Sequence, residues 1–271
     1  MSAPPLKLLA TGAAIAVAAL FSLLMLDIAV EGLHGLLATA LPKTTTTTAD
    51  EGGVFAALLS TVSISVLALL TSLPVALGCA WLGVETLARR PRVGTALRRS
   101  LDVASATPSI AIGLVGWTLF SNSFGLGFSL LAGALTLSLM IAPLMASAFL
   151  AGIDALPAAL RAQSLGLGVS RWNTFWRLLL PSCRPAIAAG IVLALGRATA
   201  ETACLILTSG ISTRWPESMG DPGATLAVHV YHLARNVPDG EPRAYSAALL
   251  LVVVNALVQV VLARLRLGGP R

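Results

Sequence analysis

Arg197 and Glu201 are two charged residues, four positions apart, inside an apolar stretch that predicts a membrane-spanning helix over 186–208. Arg197 would lie near the middle of that span, where a charge costs about 2.5–3.5 kcal/mol on insertion scales. The i,i+4 spacing puts both side chains on one helix face, so one reading is a structural ion pair that braces the bundle. Replacing both residues by apolar ones would remove the cost altogether. We therefore interpret Arg197 as a contact for an oxyanion that crosses the membrane, with Glu201 orienting it or preventing trapping.

A second candidate position is the stretch SATPSIAIG, residues 105–113, in which Pro108 interrupts another apolar run. A break of this kind can point freed backbone N–H groups at an anion in a protein-lined cavity. Simple helix packing around a proline kink is the alternative, and the residues alone leave both interpretations open.

The elements that would position these residues are transmembrane helices. Of the 271 residues, 56% are hydrophobic and only 11% are charged, a composition that predicts an all-α integral membrane protein. Apolar windows long enough to cross a bilayer lie at 8–30, 54–84, 101–120, 127–150, 186–208 and 244–262. We therefore predict six transmembrane helices, with Pro74 as a place for the second to bend.

The distribution of cations predicts the orientation of these helices. Of the 18 Lys and Arg residues, thirteen fall on one side of the predicted membrane and four on the other, and Arg197 belongs to neither. Because cytoplasmic loops are enriched in Lys and Arg, both termini are expected in the cytoplasm. The formal charge of +6 is then a topology signal, and no nucleic-acid partner is expected.

The predicted cytoplasmic loop between the fourth and fifth spans, at about 154–185, has helical periodicity that is interrupted at Gly166 and Gly168. In the amphipathic segment that follows, one face carries Trp172, Phe175, Trp176 and Leu179. Such a helix could lie along the membrane surface or fit a groove on a soluble partner.

This loop also carries a resemblance to a known family. Gly168, nine further residues, Leu178, one residue and then Leu180-Pro181 resemble the EAA loop of bacterial ABC-importer permeases. Together with PSIAIG (108–113) and RATAETACLILT (197–208), the chain resembles the PstA-type permease subunits of phosphate importers over nearly its whole length. It departs from their pattern at Ala162, where the loop's glutamate is expected, and at Ala200, where a glycine is usual.

The resemblance implies a type I ABC-importer permease of the bacterial inner membrane that forms half of a pathway for inorganic phosphate. Its implied partners are a PstC-type permease, a dimer of PstB-type ATPase subunits that binds ATP and Mg, a PstS-type phosphate-binding protein and membrane lipid. The predicted substrate-binding residues are Arg197, Glu201, Thr202 and Ser109. The predicted ATPase-coupling residues are Gly168, Trp172, Phe175, Trp176, Leu180 and Pro181. Residues 1–53 would form the first helix and an extracytoplasmic loop, 54–262 the permease core and 263–271 a cytoplasmic tail.

Several other functions are less well supported by the sequence. The only lysines, Lys7 and Lys43, do not follow a glycine, so the chain has no P-loop and the ATPase must be a separate subunit. An intramembrane hydrolase using Glu201 or His34 is disfavoured, because neither HExxH nor GxSxG occurs. No metal or cofactor is expected in this chain, since His229 and His232 lack a third ligand nearby and read as ordinary surface histidines. A permease for sulfate, molybdate or phosphonate, and a non-transporting scaffold subunit, remain as alternatives.

Overall fold

The structure is a computed structural model that describes residues 4–40 and 53–267. Within these ranges the regular elements are all helices. In chain order the α-helices are α1 Pro4–Ala40, α2 Gly53–Arg89, α3 Pro91–Ala106, α4 Ser109–Gly116, α5 Leu130–Asp154, α6 Ala158–Gly166, α7 Arg171–Thr174, α8 Leu180–Ser182, α9 Arg184–Ala200, α10 Ala203–Thr208, α11 Leu226–Asn236 and α12 Glu241–Leu267. Two stretches with π-helical hydrogen bonding, Trp117–Ser123 and Phe175–Leu179, continue α4 and α7.

Four helices in the described ranges, α1, α2, α5 and α12, are long and apolar enough to cross a membrane. Two further units are bent pairs, Pro91–Ala106 with Ser109–Ser123 at 95° and Arg171–Ser182 with Arg184–Ala200 at 75°. If each bent pair counts as one span, six spans result, in agreement with the sequence. The third predicted window, 101–120, is interrupted at residues 107–108, and the fifth, 186–208, is interrupted at residues 201–202. Neither window is therefore one continuous helix.

The ends of the predicted spans also differ from the structure. Helix α1 continues to Ala40, so the outer loop predicted from residue 31 begins in a helix. Helix α2 runs through Pro74 as one element. The Thr-rich tract at 44–48 and the end of the predicted tail at 268–271 lie outside the described residues.

Helix α5 forms the centre of the bundle and packs against α2, α3, α4, α9 and α10. Ser129 caps its start by accepting a hydrogen bond from the Ala132 N–H at 3.1 Å. Small residues let neighbouring helices approach closely: a Cβ on Gly83 would lie 2.8 Å from Leu150 of α5, and one on Gly190 would lie 2.9 Å from Ala148. Such close approach replaces the hydrophobic driving force that lipid does not provide between membrane helices.

The first and last helices pack against each other. Gly32 and Gly35 of α1 face α12, where a side chain on Gly32 would collide with Leu249 and one on Gly35 with Ser246. Most other described side chains of α1 are exposed, as expected for a helix that faces lipid.

Basic residues that are far apart in sequence meet at one end of the bundle. Arg98 of α3 makes a bidentate ion pair with Asp154 at the end of α5, in which Nη2 lies 3.1 Å from Oδ1. Arg171, at the start of α7, pairs with Glu85 near the end of α2. These contacts place the ends of α2 and α5 and the loop after α5 together, as the predicted cytoplasmic side requires.

Helix α11 begins at Leu226 after the capping residue Thr225 and packs against α12 and α2. His229 is buried on this helix, so its interpretation as a surface histidine is wrong. The sequence pattern did not reveal this because the burial comes from the packing of α11 against α12 and α2. Burial, together with the nearby cations His232 and Arg243, lowers the pKa of His229 to about 4. No group of three His, Cys, Asp or Glu residues in the described ranges could hold a metal.

Because of His229, the free energy of unfolding is expected to decrease as the pH becomes acidic. Since its pKa in the folded protein lies below its usual value, its neutral burial stabilises the fold fully above about pH 6.5. That contribution is lost as pH falls toward 4, and the loss amounts to about 2 kcal/mol at pH 5. The thermal unfolding midpoint of the purified protein, measured at pH 7.5 and 5, should therefore drop less in His229→Gln than in the wild type. His232→Gln is the matched control, and an equal drop in all three proteins would contradict the prediction.

Candidate functional site

The helix that carries Arg197 ends three residues after it. Helix α9 stops at Ala200, Glu201 is extended with φ −73° and ψ 136°, and α10 starts at Ala203. Thr202, the residue that precedes α10, makes no side-chain capping hydrogen bond. The predicted continuous span at 186–208 is therefore wrong in this detail, and Arg197, Glu201 and Thr202 lie together at a break in the fifth span.

The ion pair between Arg197 and Glu201 is loose. Arg197 Nε lies 3.6 Å from Glu201 Oε1, and this buried Nε makes no hydrogen bond. Arg98 and Asp154 show what a close pair looks like in the same chain, with two guanidinium nitrogens bonded to two carboxylate oxygens. The guanidinium of Arg197 has five N–H donors, of which this contact satisfies few. The geometry thus does not match a self-satisfied structural ion pair.

The second break lies beside the first. Thr107 is extended with ψ 136°, and α4 begins at Ser109 after Pro108, which gives no side-chain cap. Helix α4 packs against α10, where a Cβ on Gly113 would lie only 2.7 Å from Cys204 Cα. The helix that starts at Ser109 therefore contacts the helix that starts after Glu201 and Thr202. The structure gives no direct contact between Ser109 and Arg197.

Two polar residues of the last helix that the sequence analysis missed hold α9 in place. The hydroxyl of Thr199 lies 2.8 Å from Asn255 Oδ1, and Gln259 lies against Gly196, where a Cβ would be 2.5 Å from its Nε2. Both contacts are within three residues of Arg197. The signal was present in the sequence, because an Asn and a Gln at i,i+4 spacing interrupt the apolar run of the last span.

This arrangement can bind an anion. Arg197 keeps 37% of its side-chain surface exposed in the isolated chain, whereas Glu201 keeps 13%. A guanidinium binds an oxyanion through two parallel N–H groups, and helix starts without a side-chain cap leave further N–H groups without partners. Glu201 can hold the guanidinium when no anion is present. One guanidinium cannot satisfy every oxygen of a tetrahedral anion, so the site is incomplete in this chain alone.

The residues predicted to couple to a soluble partner lie on the segment 158–182, which contains α6, α7 and α8 and is called the coupling segment below. Its aromatic residues pack against one another and against α2: the ring of Trp81 on α2 lies 5.3 Å from Trp172 and 5.4 Å from Phe175, and Trp176 contacts both Trp172 and Phe175. Phe175 is fully buried, while Trp172 is half exposed. These rings therefore attach the segment to its own bundle.

The outer side of the coupling segment forms an open groove with a volume of about 780 Å³. Gly168, at the turn between α6 and α7, has φ +76°, a conformation that favours glycine. Next to it Leu167 is 83% exposed, a large apolar side chain without cover in the isolated chain. Leu180 packs against the core, and Pro181 is half-buried. The described groove-lining residues are Leu160, Gln163, Ser164, Leu167, Gly168, Val169, Ser170, Asn173, Arg177 and Leu178.

Comparison with known proteins gives consistent matches. Residues 72–266 match the family described as binding-protein-dependent transport system inner membrane component. The chain is 33% identical to a probable ABC transporter permease protein, YqgI of Bacillus subtilis, over 76% of this chain and 74% of that protein. It is 29% identical to the phosphate transport system permease protein PstA of Xylella fastidiosa, over 84% and 79%.

Among solved structures, the fold is similar to that of an inward-facing MetNI methionine ABC transporter chain. The TM-score is 0.63 at 15% sequence identity, over 81% of this chain and 95% of that chain. At this identity the similarity concerns the fold, which is that of type I ABC-importer permeases, as the sequence predicted.

The contact between the two broken spans can be tested at Gly113. Gly113→Val should force α4 and α10 apart and destabilise the protein by about 1–3 kcal/mol, because the side chain would meet the backbone of Cys204. The thermal unfolding midpoint of the purified variant measures this. Gly78→Val is the matched control, since a Cβ there has nothing within 4 Å. Equal midpoints for the two variants would show that the helices are not in close contact.

Proposed function

This chain belongs to the family of binding-protein-dependent transport system inner membrane components, and on that premise we propose that it is the permease subunit of an ATP-driven importer of inorganic phosphate. It is a multi-pass protein of the bacterial inner membrane. In the proposed complex it forms half of the translocation pathway beside a PstC-type permease. A PstS-type binding protein delivers phosphate, and a dimer of PstB-type ATPase subunits binds ATP and Mg.

The observation that carries the proposal is the loosely paired Arg197 at the break in the fifth span. A guanidinium whose Nε has no hydrogen bond and whose carboxylate partner is 3.6 Å away can exchange that partner for an oxyanion. The relative named as a phosphate permease favours phosphate over sulfate, molybdate or phosphonate. In the proposed site Arg197 binds the anion, and Glu201 promotes its release by pairing again with the guanidinium. Thr202 and Ser109 supply polar contacts from the two helix starts.

The proposed mechanism begins at the coupling segment. When the ATPase subunits close on ATP, they press on the groove beside Leu167 and Gly168 and so move the coupling segment. The clustered rings of Trp172, Phe175 and Trp176 pass that movement to Trp81 on α2, and α2 packs against α5 and α9. Rocking of these helices would expose the site at Arg197 to one side of the membrane and then to the other.

Arg197→Gln should abolish ATP-dependent uptake of radiolabelled phosphate into proteoliposomes that contain the full complex. The expected loss is about 100-fold or more, because charge-assisted hydrogen bonds from the guanidinium to the anion disappear. The complex should still assemble. Arg235→Gln, the same change at an exposed position of α11, is the matched control and should transport normally.

The same assay separates the alternatives. Wild-type uptake that resists excess sulfate, molybdate and phosphonate supports phosphate as the substrate, whereas uptake blocked by one of these anions assigns that anion instead. Normal uptake by Arg197→Gln together with poor assembly would favour the scaffold function and overturn the role of Arg197.

The groove beside Gly168 is the expected contact with the ATPase. Leu167→Asp should lower the amount of ATPase that co-purifies with the permease by about tenfold, because it puts a charge at the most exposed apolar side chain of the groove. Ala162→Glu adds the same charge on the neighbouring helix α6 at the position where related loops carry glutamate, and should retain the ATPase. If Leu167→Asp co-purifies as much ATPase as the wild type, the ATPase binds elsewhere.

A further inference from the structure

We propose that Glu85 is the positioning residue that fastens the coupling segment to α2, so that force applied to this segment moves the membrane-spanning bundle. The inference rests on the proposed function for what supplies the force. The attachment itself is a feature of this chain, and it assigns a role to an acid in α2 that the sequence patterns above did not single out.

The contacts at Glu85 join two elements that are far apart in sequence. Glu85 Oε1 accepts a hydrogen bond from Arg171 Nη1 at 3.2 Å, and Arg171 begins α7 of the coupling segment. The same oxygen contacts Nε of Arg89, one turn later on α2. A second tie runs from Arg161 of α6, whose Nη2 donates to the backbone carbonyl of Val84 at 3.2 Å. Helices α6 and α7 of the coupling segment are thus bonded to the same turn of α2.

Burial makes Glu85 more than a surface partner for these cations. Its side chain is only 15% exposed, and its Oε2 is buried without a hydrogen bond. A partly buried ion pair is screened far less than an exposed one, so it holds its geometry better. Arg89, in contrast, is 65% exposed and bonds within its own helix.

Glu85 places a negative charge between two cations at this junction. A small cavity of about 10 Å³ lies between α2 and the coupling segment, with room for about one water molecule. Among the residues lining it, Glu85 is the only acid, and it faces the two cations Arg161 and Arg171. Burial lowers the pKa of Arg161, and Arg171 lowers it further while Glu85 opposes the change. Without the carboxylate, two neighbouring guanidinium groups would repel each other.

The ion pairs and the aromatic rings form one continuous junction. Trp81, which holds Trp172 and Phe175, lies one turn before Glu85 on α2 and lines the same cavity. The edge-to-face rings supply packing area, and the partly buried, hydrogen-bonded ion pair adds directional N–H···O contacts between the segment and α2. Glu85 therefore fixes the register between the coupling segment and α2, and the rings fill the space around it.

The test compares two partners of the same carboxylate oxygen. Phosphate imported per ATP hydrolysed is measured in proteoliposomes that contain the full complex. Glu85→Gln and Arg171→Gln should each lower this ratio by about fivefold or more, and the double variant should be no worse than either, because both remove one interaction. Arg89→Gln, which removes only the contact within α2, should keep the wild-type ratio. ATP hydrolysis and assembly should persist in every variant.

Three results would overturn the proposal. The first is a wild-type ratio in Glu85→Gln and Arg171→Gln. The second is an equal loss in Arg89→Gln, which would mean that any charge change at this end of α2 has the same effect. The third is a parallel loss of assembly, hydrolysis and uptake in both Glu85→Gln and Arg171→Gln, which indicates a purely structural role.

A second readout does not depend on the transported anion. Spin labels at exposed Ala162 in α6 and exposed Val75 in α2, with the three native cysteines replaced by alanine, report the distance between the coupling segment and α2. The distribution should be narrow in the wild type and in Arg89→Gln and broad in Glu85→Gln and Arg171→Gln. If the wild-type complex imports no phosphate, the proposed substrate is wrong, while this distance still tests the role of Glu85. An equally narrow distribution in all four proteins would overturn that role.

Discussion

A guanidinium held within a membrane-spanning segment is the constraint on which the rest of this structure depends. It is costly wherever lipid or packed helices surround it, so it needs a carboxylate, a cavity or a ligand nearby. This chain supplies a carboxylate at 3.6 Å and ends the helix immediately afterwards. The break gives Glu201 and Thr202 a backbone position that a continuous helix could not, and the second break at Pro108 lies against it through Gly113 and Cys204. Small residues around α5 then allow broken segments to pack as tightly as whole helices.

The charged residues at the end of α2 and at the end of α9 differ in how closely their charged atoms approach each other. At the end of α2, Glu85 and its arginines form close hydrogen-bonded contacts, which suit a joint that must keep its shape. At the end of α9, Arg197 and Glu201 remain apart, which suits a pair that must open. In the proposed function the same two residue types would serve rigidity in one place and exchange in the other, and the distance between the charged atoms distinguishes the two pairs. Asn255 and Gln259 keep the helix that carries Arg197 fixed while its charged partner stays loose.

The hydropathy and the length of the apolar segments were sufficient to predict a helical membrane fold with six spans, because the thickness of the bilayer sets how long a spanning apolar helix must be. The interruption near Ser109 was visible since proline marks it. The break at Glu201 was not visible, because neither proline nor glycine stands at residues 200–203. The inward orientation of Phe175 could not be read from the amphipathic face either, since its partner Trp81 lies in a different span. Burial of His229 likewise depends on contacts between helices that a single-helix pattern does not contain.

The contact between α1 and α12 has a consequence for biosynthesis. Helix α1 packs, through Gly32 and Gly35, against a helix that the ribosome makes much later. Until α12 has been made, this glycine face lacks its partner helix, while the 28-residue apolar segment of α1 is already long enough to cross the bilayer. A chain truncated before α12 would therefore leave the glycine face of α1 without that contact.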